Sequence, residues 1–296
     1  MSLQSGKAPG LDGFTPEFYK KYHNLLLNPL IDMYQHSFDT KTLPPTIQEA
    51  LITLICKPEK DPELAGSYRP ISLLSVESKV YAKAIATRLE DYLPFLVHKD
   101  QTGFIKNRVS MNNLRRLFYI ITQTESLSGS PVIASLDAEK AFDRVEWCYM
   151  FKVLECFGFG KYFIDCVRLL YDKPRARVST NGTVSDAFAI GRGTRQGCPL
   201  SPLIFALILE PLAQKIREDN AIKGILIGNN THKISLYADD IVLFLTHPDT
   251  SLNALLNLID NFSSFSGYKI NWGKSEILSL AKTGLLNVNK SSSLPG

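Results

Sequence analysis

Three carboxylates, Asp137, Asp239 and Asp240, are the residues of this sequence whose types and setting best suit chemistry. Asp239 and Asp240 interrupt Ile-Ser-Leu-Tyr-Ala-Asp-Asp-Ile-Val-Leu-Phe-Leu (234–245), so two β-prone apolar runs predict a hairpin with both acids at its tip. Asp tolerates unusual backbone angles and bonds to its own backbone, so an isolated pair there would read as an ordinary turn. A second apolar run, Val132–Leu136, delivers Asp137 at the end of another strand. A carboxylate at a strand end, opposite a hairpin carrying two more, can make a divalent-metal site for phosphoryl chemistry.

Such acids need strands to hold them and helices to cover the strands. Residues 6–13 are a loop by their Gly and Pro content, and Thr15-Pro16-Glu17 starts a helix with Thr as N-cap. Phe18, Tyr22, Leu25, Leu26, Leu30 and Met33 keep helical spacing, which predicts one buried face. The run 50–55 reads as a buried strand ending at Cys56-Lys57-Pro58, and Tyr68-Arg69-Pro70-Ile71-Ser72 follows a polar loop. Lys57 and Arg69 read either as surface charge or as paired cations for a polyphosphate.

An amphipathic helix is predicted over 77–96, with Val80, Ala84, Ile85, Leu89 and Leu93 on one face. Gln101-Thr102-Gly103-Phe104-Ile105-Lys106-Asn107-Arg108 is a loop suited to phosphate contacts and base packing, or one anchored in the core by Phe104. Helices are predicted over 111–126, 146–157 and 161–171, with an exit turn at Ser128-Gly129-Ser130-Pro131 and a break at Gly158-Phe159-Gly160. Asn181-Gly182 signals a hairpin within 175–190. A Gly-rich loop at 191–202 enters an apolar helix running to about 218; it lacks the Lys-Ser/Thr ending of a P-loop. A helix over 252–265 stops at Gly267, a loop and strand occupy 268–278, and the patternless tail reads as disordered or a cut edge.

Composition narrows the classes. At 296 residues the chain can bury a large core, and no apolar run approaches a membrane span. Five cysteines without paired spacing indicate neither a zinc site nor a disulfide framework, which fits a reducing compartment. Net charge is only +4, but residues 69–116 hold nine basic side chains against four acidic ones, a balance suited to a polyanion.

Tyr237-Ala238-Asp239-Asp240 resembles the catalytic hairpin of reverse transcriptases, and 6–278 as a whole resembles the enzyme of a LINE-type retrotransposon. Ser135-Leu136-Asp137-Ala138-Glu139-Lys140-Ala141-Phe142-Asp143-Arg144-Val145 matches the first catalytic motif, and Arg195, Cys198, Pro199, Leu200 and Ser201 fit the LINE-type form. The resemblance implies an α+β right-hand polymerase, with an antiparallel palm sheet packed on helices and the thumb mostly absent. Residues 1–130 would form fingers with an N-terminal extension, interleaved with a palm over 131–280; 281–296 would be a tail or thumb edge.

The function implied is RNA-directed DNA synthesis by two-metal nucleotidyl transfer with Mg²⁺, Mn²⁺ being a substitute. Asp137 and Asp239 would bridge the ions, the Ala138 carbonyl would complete one, and Asp240 would support the other. Lys57 and Arg69 would clamp the incoming triphosphate, Gln196 and Gly197 would lie beside the nascent base pair, and Tyr237 would touch substrate. Phe142, five residues past Asp137, is either core or a ring against the ribose C2′ position. Lys274 is a proton donor to the leaving pyrophosphate or a surface lysine. Asp143 would be a structural partner, and Glu139 solvated.

The implied partners are an RNA template, a DNA primer and deoxynucleoside triphosphates, with no membrane. Endonuclease and thumb segments would belong to a longer parent protein. The location would be intracellular, in nucleus and cytoplasm, as a retrotransposon ribonucleoprotein. A group II intron maturase, an RNA-templated RNA polymerase and a non-catalytic nucleic-acid-binding relic remain open as alternatives.

Overall fold

Seven strands of four or more residues form among the residues described, 3–124 and 130–280 of this computed structural model. In chain order the first four are β1 (Glu49–Cys56), β2 (Tyr68–Leu73), β3 (Val132–Leu136) and β4 (Arg175–Thr180). β5 (Ile234–Tyr237), β6 (Asp240–Leu245) and β7 (Glu276–Ser279) follow. Backbone contacts divide the chain into two units. The first runs to Tyr92 and resumes over Met150–Ile204; the second holds Leu93–Tyr149 and continues from Phe205.

In the first unit β2, β1 and β4 lie side by side. β1 is antiparallel to β2, with Ile55 opposite Arg69, and parallel to β4, with Glu49 opposite Arg175. The hairpin expected at Asn181-Gly182 forms: both residues have positive φ, 49° and 78°, the turn whose twist suits two-residue hairpins. The run 50–55 is not the buried strand its composition predicts. Within it only Ala50 is buried, while Leu54 and Ile55 are exposed. An apolar run does not reveal whether both faces of its sheet are covered.

The face predicted over residues 18–33 is also corrected. The helix breaks at Tyr22, between Pro16–Lys21 and His23–Thr40, so the spacing is not carried through. Leu25 is 74% exposed and Tyr22 39% exposed. Leu26, Leu30, Met33 and Tyr34 are half-buried instead, and Tyr34 packs its ring 5.2 Å from Tyr81. Thr15 takes the N-cap position without lending its side chain to the helix. The 77–96 helix is Val76–Glu90, capped by Ser75 Oγ accepting from the Ser78 N–H, then a separate turn Leu93–Leu96. It buries Tyr81, Ala82, Ile85 and Leu89, with Ala84 outward.

In the second unit β7, β3, β6 and β5 form one antiparallel sheet in that order, with Ile241 opposite Leu136 and Ile277 opposite Ala134. Ile120 of the Met111–Thr124 helix, Ile133 and Phe244 of the sheet, and Ile225 of a separate short strand (Ile225–Ile227) make one core. The last helix begins at Pro248, before the predicted 252, because Pro is tolerated in a first turn. Gly267 ends it at φ 77°, where any side chain would meet the Arg144 carbonyl. The expected helix end beyond 124, part of the exit turn at 128–131, and the 281–296 tail lie outside the described residues. All five cysteines are free thiols, and no helix among the described residues is long and apolar enough to cross a membrane.

Candidate active site

The hairpin tip forms as the Asp-Asp stretch predicts. β5 ends at Tyr237, Ala238 turns at φ 55°, and β6 opens at Asp240. Continuing the β3–β6 register by one residue sets Asp240 across from Asp137. Burial raises the Asp239 carboxyl above the usual range; its own N–H offsets part of this, and Asp240 and Asp137 raise it further. Asp240 is raised by burial and then by Asp137. Both hairpin acids therefore sense the charge of Asp137. Behind them stands Tyr268, whose buried hydroxyl has no protein partner and whose pKa rises through burial and then Asp239, Asp137 and Asp240.

Asp137 is fixed through its backbone. Its N–H donates to Ser275 Oγ at 3.2 Å, and its carbonyl accepts from the Asn271 N–H at 2.8 Å. Lys274 lies 3.8 Å from Asp137 Oδ2, its side chain largely exposed. Ala138 faces Ile270 as a non-hydrogen-bonded antiparallel pair. The bonds on either side are made by Glu139 N–H to Lys269 O and Asn271 N–H to Asp137 O, so the Ala138 carbonyl takes no part in them. Among the described residues no three His, Cys, Asp or Glu side chains close into a metal cage. The donors here are hard oxygens on adjacent strand ends, which suits a cation held jointly with substrate phosphates rather than by protein alone.

Glu139 is not simply solvated: it pairs with Arg144 at 2.7 Å and Lys269 at 3.5 Å, and Arg144 first among these holds its carboxyl low. Phe142, half-buried on the short helix Ala141–Arg144, stacks on Phe205 at 4.3 Å and meets Phe104 edge-on at 6.5 Å. Tyr237 is 47% exposed beside the tip.

Gln101, which spacing did not single out, clamps the turn. Its Nε2 donates to the Ala238 carbonyl at 3.0 Å, and its Oε1 accepts from the N–H groups of Ala238 at 2.9 Å and Gly103 at 2.8 Å. At Gly103 any Cβ would collide with the Ala238 nitrogen. The segment pairs parallel to β5, with Thr102 N–H on Leu236 O and Leu236 N–H on Asp100 O, both 2.9 Å. Nothing in the sequence marked this amide, which sits in a loop read for its cations. Phe104 does not anchor that loop: it is exposed at φ 60°, and Ile105 is buried instead. Nor is Arg108 spare for phosphate, since it donates to the carbonyls of Pro94, Val97, His98 and Gln101.

The remaining candidates belong to the first unit. Lys57 Nζ donates to the Gly66 carbonyl at 2.9 Å, inside its own loop, while Arg69 is exposed on β2. Gly197 (φ 88°) sits against the same strand, where a Cβ would lie 2.7 Å from the Ser72 carbonyl; half-buried Gln196 precedes it. The buried Arg195 guanidinium holds this loop by donating to the Gln48 carbonyl at 2.8 Å.

The chain is 31% identical over 275 residues to the uncharacterized 149 kDa protein of transposon TX1 from Xenopus laevis, covering 92% of this chain and 21% of that protein. It is 29% identical to the Pol polyprotein of the type-2 retrotransposable element R2DM from Drosophila melanogaster, covering 93% of this chain and 25% of that protein. The chain thus spans about a quarter or less of these two curated relatives. Telomerase of Candida tropicalis, solved with a fragment of telomeric RNA, shares the fold at a TM-score of 0.59 and 13% identity. That match covers 92% of this chain and 46% of the telomerase. The family model described as reverse transcriptase (RNA-dependent DNA polymerase) matches residues 55–292, and the chain belongs to that family, its named relatives being LINE-type retrotransposons.

Proposed function

We propose that this chain is the polymerase portion of a LINE-type retrotransposon protein, copying RNA into DNA by extending a DNA primer with deoxynucleotides. The observation that carries the reading is the set of three carboxylates at adjoining strand ends, Asp240 across from Asp137 and Asp239 beside it, each of the hairpin pair raised by burial and then by its neighbours. The family generally uses divalent metals, and Mg²⁺ suits hard oxygen donors. Two such ions, when bound, activate a 3′-hydroxyl and stabilise a leaving pyrophosphate. Asp137 and Asp239 would hold both, with the Ala138 carbonyl and Asp240 completing one each.

Arg69, on the open face of β2, would meet the triphosphate, and Gln196 and Gly197 would border the nascent base pair. Lys57 contributes less, because its ammonium is already bound to its loop. Lys274 would leave Asp137 to give a proton to pyrophosphate. Residues 1–130 would serve as fingers with an N-terminal extension, interleaved with a palm over 131–280, within a longer protein carrying an endonuclease and thumb and acting in nucleus and cytoplasm. Primer extension on an RNA template with Mg²⁺ tests the reading: a ladder of DNA products is expected, and a folded chain that makes none would overturn it.

Sugar choice gives a sharper expectation. Phe142 has one face fixed against Phe205, so its ring is rigid. A rigid ring beside the ribose C2′ leaves no room for a 2′-hydroxyl, and exclusion of this kind discriminates more strongly than an accommodating apolar pocket. Phe142→Val should raise ribonucleotide use relative to deoxynucleotide use at least about tenfold, roughly 1.4 kcal/mol. The ratio of incorporation efficiencies reads this, and an unchanged ratio in an active variant would return Phe142 to the core.

A further inference from the structure

The unit that holds the carboxylates has a second polar feature, a cleft of about 760 Å³ walled by Lys99, Asp100, Arg108, Arg116, Arg217 and Lys233. Five cations face Asp100 in the wall, and one of them, Arg217, also pairs with Glu210 outside it. Asp100 is buried and shared: Arg116 Nη1 donates to it at 2.5 Å, His98 Nδ1 lies at 2.9 Å and Arg217 Nη1 at 3.6 Å. Two of the cations are fixed by groups that carry no formal charge. Arg108 is held by four backbone carbonyls, and Lys233 Nζ donates to the carbonyls of Arg217 at 2.9 Å and Asp219 at 2.7 Å. Carbonyls position a cation without neutralising it, so the cleft keeps a positive excess. A concave, low-dielectric wall focuses such a field.

Donors remain for an incoming anion. Arg116 spends Nε on His232 and Nη1 on Asp100 and the Ile234 carbonyl, which leaves Nη2, and Lys99 stands exposed at the rim. The exposed amide and hydroxyl of Asn230 and Thr231 share that rim. An aromatic stands just outside it. Tyr119 is 49% exposed, and its ring meets His232, a wall residue, edge-on at 6.4 Å. Fixed cations beside an exposed ring are the means by which proteins hold unpaired strands, phosphates on the cations and a base on the ring.

The cleft is not the carboxylate site. Lys233 precedes β5 and Asp239 sits in the turn after it, so the strand's rise sets them about 15 Å apart. We propose that this cleft binds a single-stranded RNA segment, its phosphates on Lys99 and Arg116 and one base on Tyr119. The choice of RNA over DNA rests on the proposed copying of RNA and on the rim hydroxyl and amide, which suit a 2′-hydroxyl. The binding itself does not depend on that reading.

The test is fluorescence anisotropy with an unstructured RNA of about 15 nucleotides, without nucleotides or primer, across salt. Lys99→Glu combined with Thr231→Glu should weaken binding about tenfold and flatten the salt slope by about one ion. Tyr119→Ala should weaken it about fivefold with the slope unchanged, because stacking releases no counterions. DNA of the same sequence should bind severalfold more weakly, and inorganic phosphate should not displace the RNA at low millimolar concentration. Lys99→Gln gives the same slope reading should the double variant fold poorly. Affinity within twofold of wild type in both variants would overturn the proposal. So would displacement by phosphate alone, which would mark a small-anion site. Because no synthesis is required, an inactive chain tests the cleft equally well.

Discussion

Asp137→Asn and Asp239→Asn should each lower primer extension by about a thousandfold or more, roughly 4 kcal/mol in the barrier. Each exchange keeps side-chain volume and removes one of the charges that would face the metal ions. The same Asp239 variant should be more stable than wild type. Its carboxyl is raised in the folded state, so the folded chain binds that proton more tightly than the unfolded chain. Stability from this group is therefore gained as pH falls and lost as pH rises through the folded pKa, and at neutral pH the ionised carboxylate is a cost. Asn removes the cost. A higher Tm together with lost extension is the expected pair, whereas near-wild-type extension in either variant would sink the metal assignment.

Gln101→Leu should lower kcat about a hundredfold, because displacing a reacting group by about an ångström has effects of that size. The side chain is 1% exposed and satisfies three backbone groups of Ala238 and Gly103. Without it the turn carrying Asp239 loses its fixed position. Each buried group left unsatisfied also costs about 1–3 kcal/mol, so Gln101→Glu, which keeps the acceptor and loses only the donor, accompanies it. The positioning role predicts a fall in kcat with template KM nearly unchanged, and partial rescue in Gln101→Glu if the protein remains folded. A loss carried by KM instead would place Gln101 in template binding.

The elements about the acids were legible because local chemistry decides them. β-branched runs around Asp239-Asp240, the Asn181-Gly182 turn and the Gly267 stop each rest on backbone preferences of a few adjacent residues. What sequence does not carry is which partner arrives. Leu25 and Ile55 fit their periodic patterns and still face outward, since spacing identifies an apolar side without saying what covers it. Arg108 looked like a phosphate ligand and is consumed by four carbonyls of its own neighbourhood. Gln101 looked like an ordinary loop amide, because its partner is 137 residues away.

The parallel pairing of β1 with β4 has a consequence for how the chain is made. β1 ends at Cys56 and β4 begins at Arg175. At about 5–20 residues per second, a ribosome takes on the order of ten seconds to deliver the second strand after the first. Throughout that interval one edge of β1 has no neighbour, and an open edge is a template for pairing with other chains. Long-range parallel pairing is also slow to close, because the loop entropy is lost before the contacts form. Nascent chains of this protein should therefore depend on chaperones until residue 180 has left the exit tunnel, and far less afterwards.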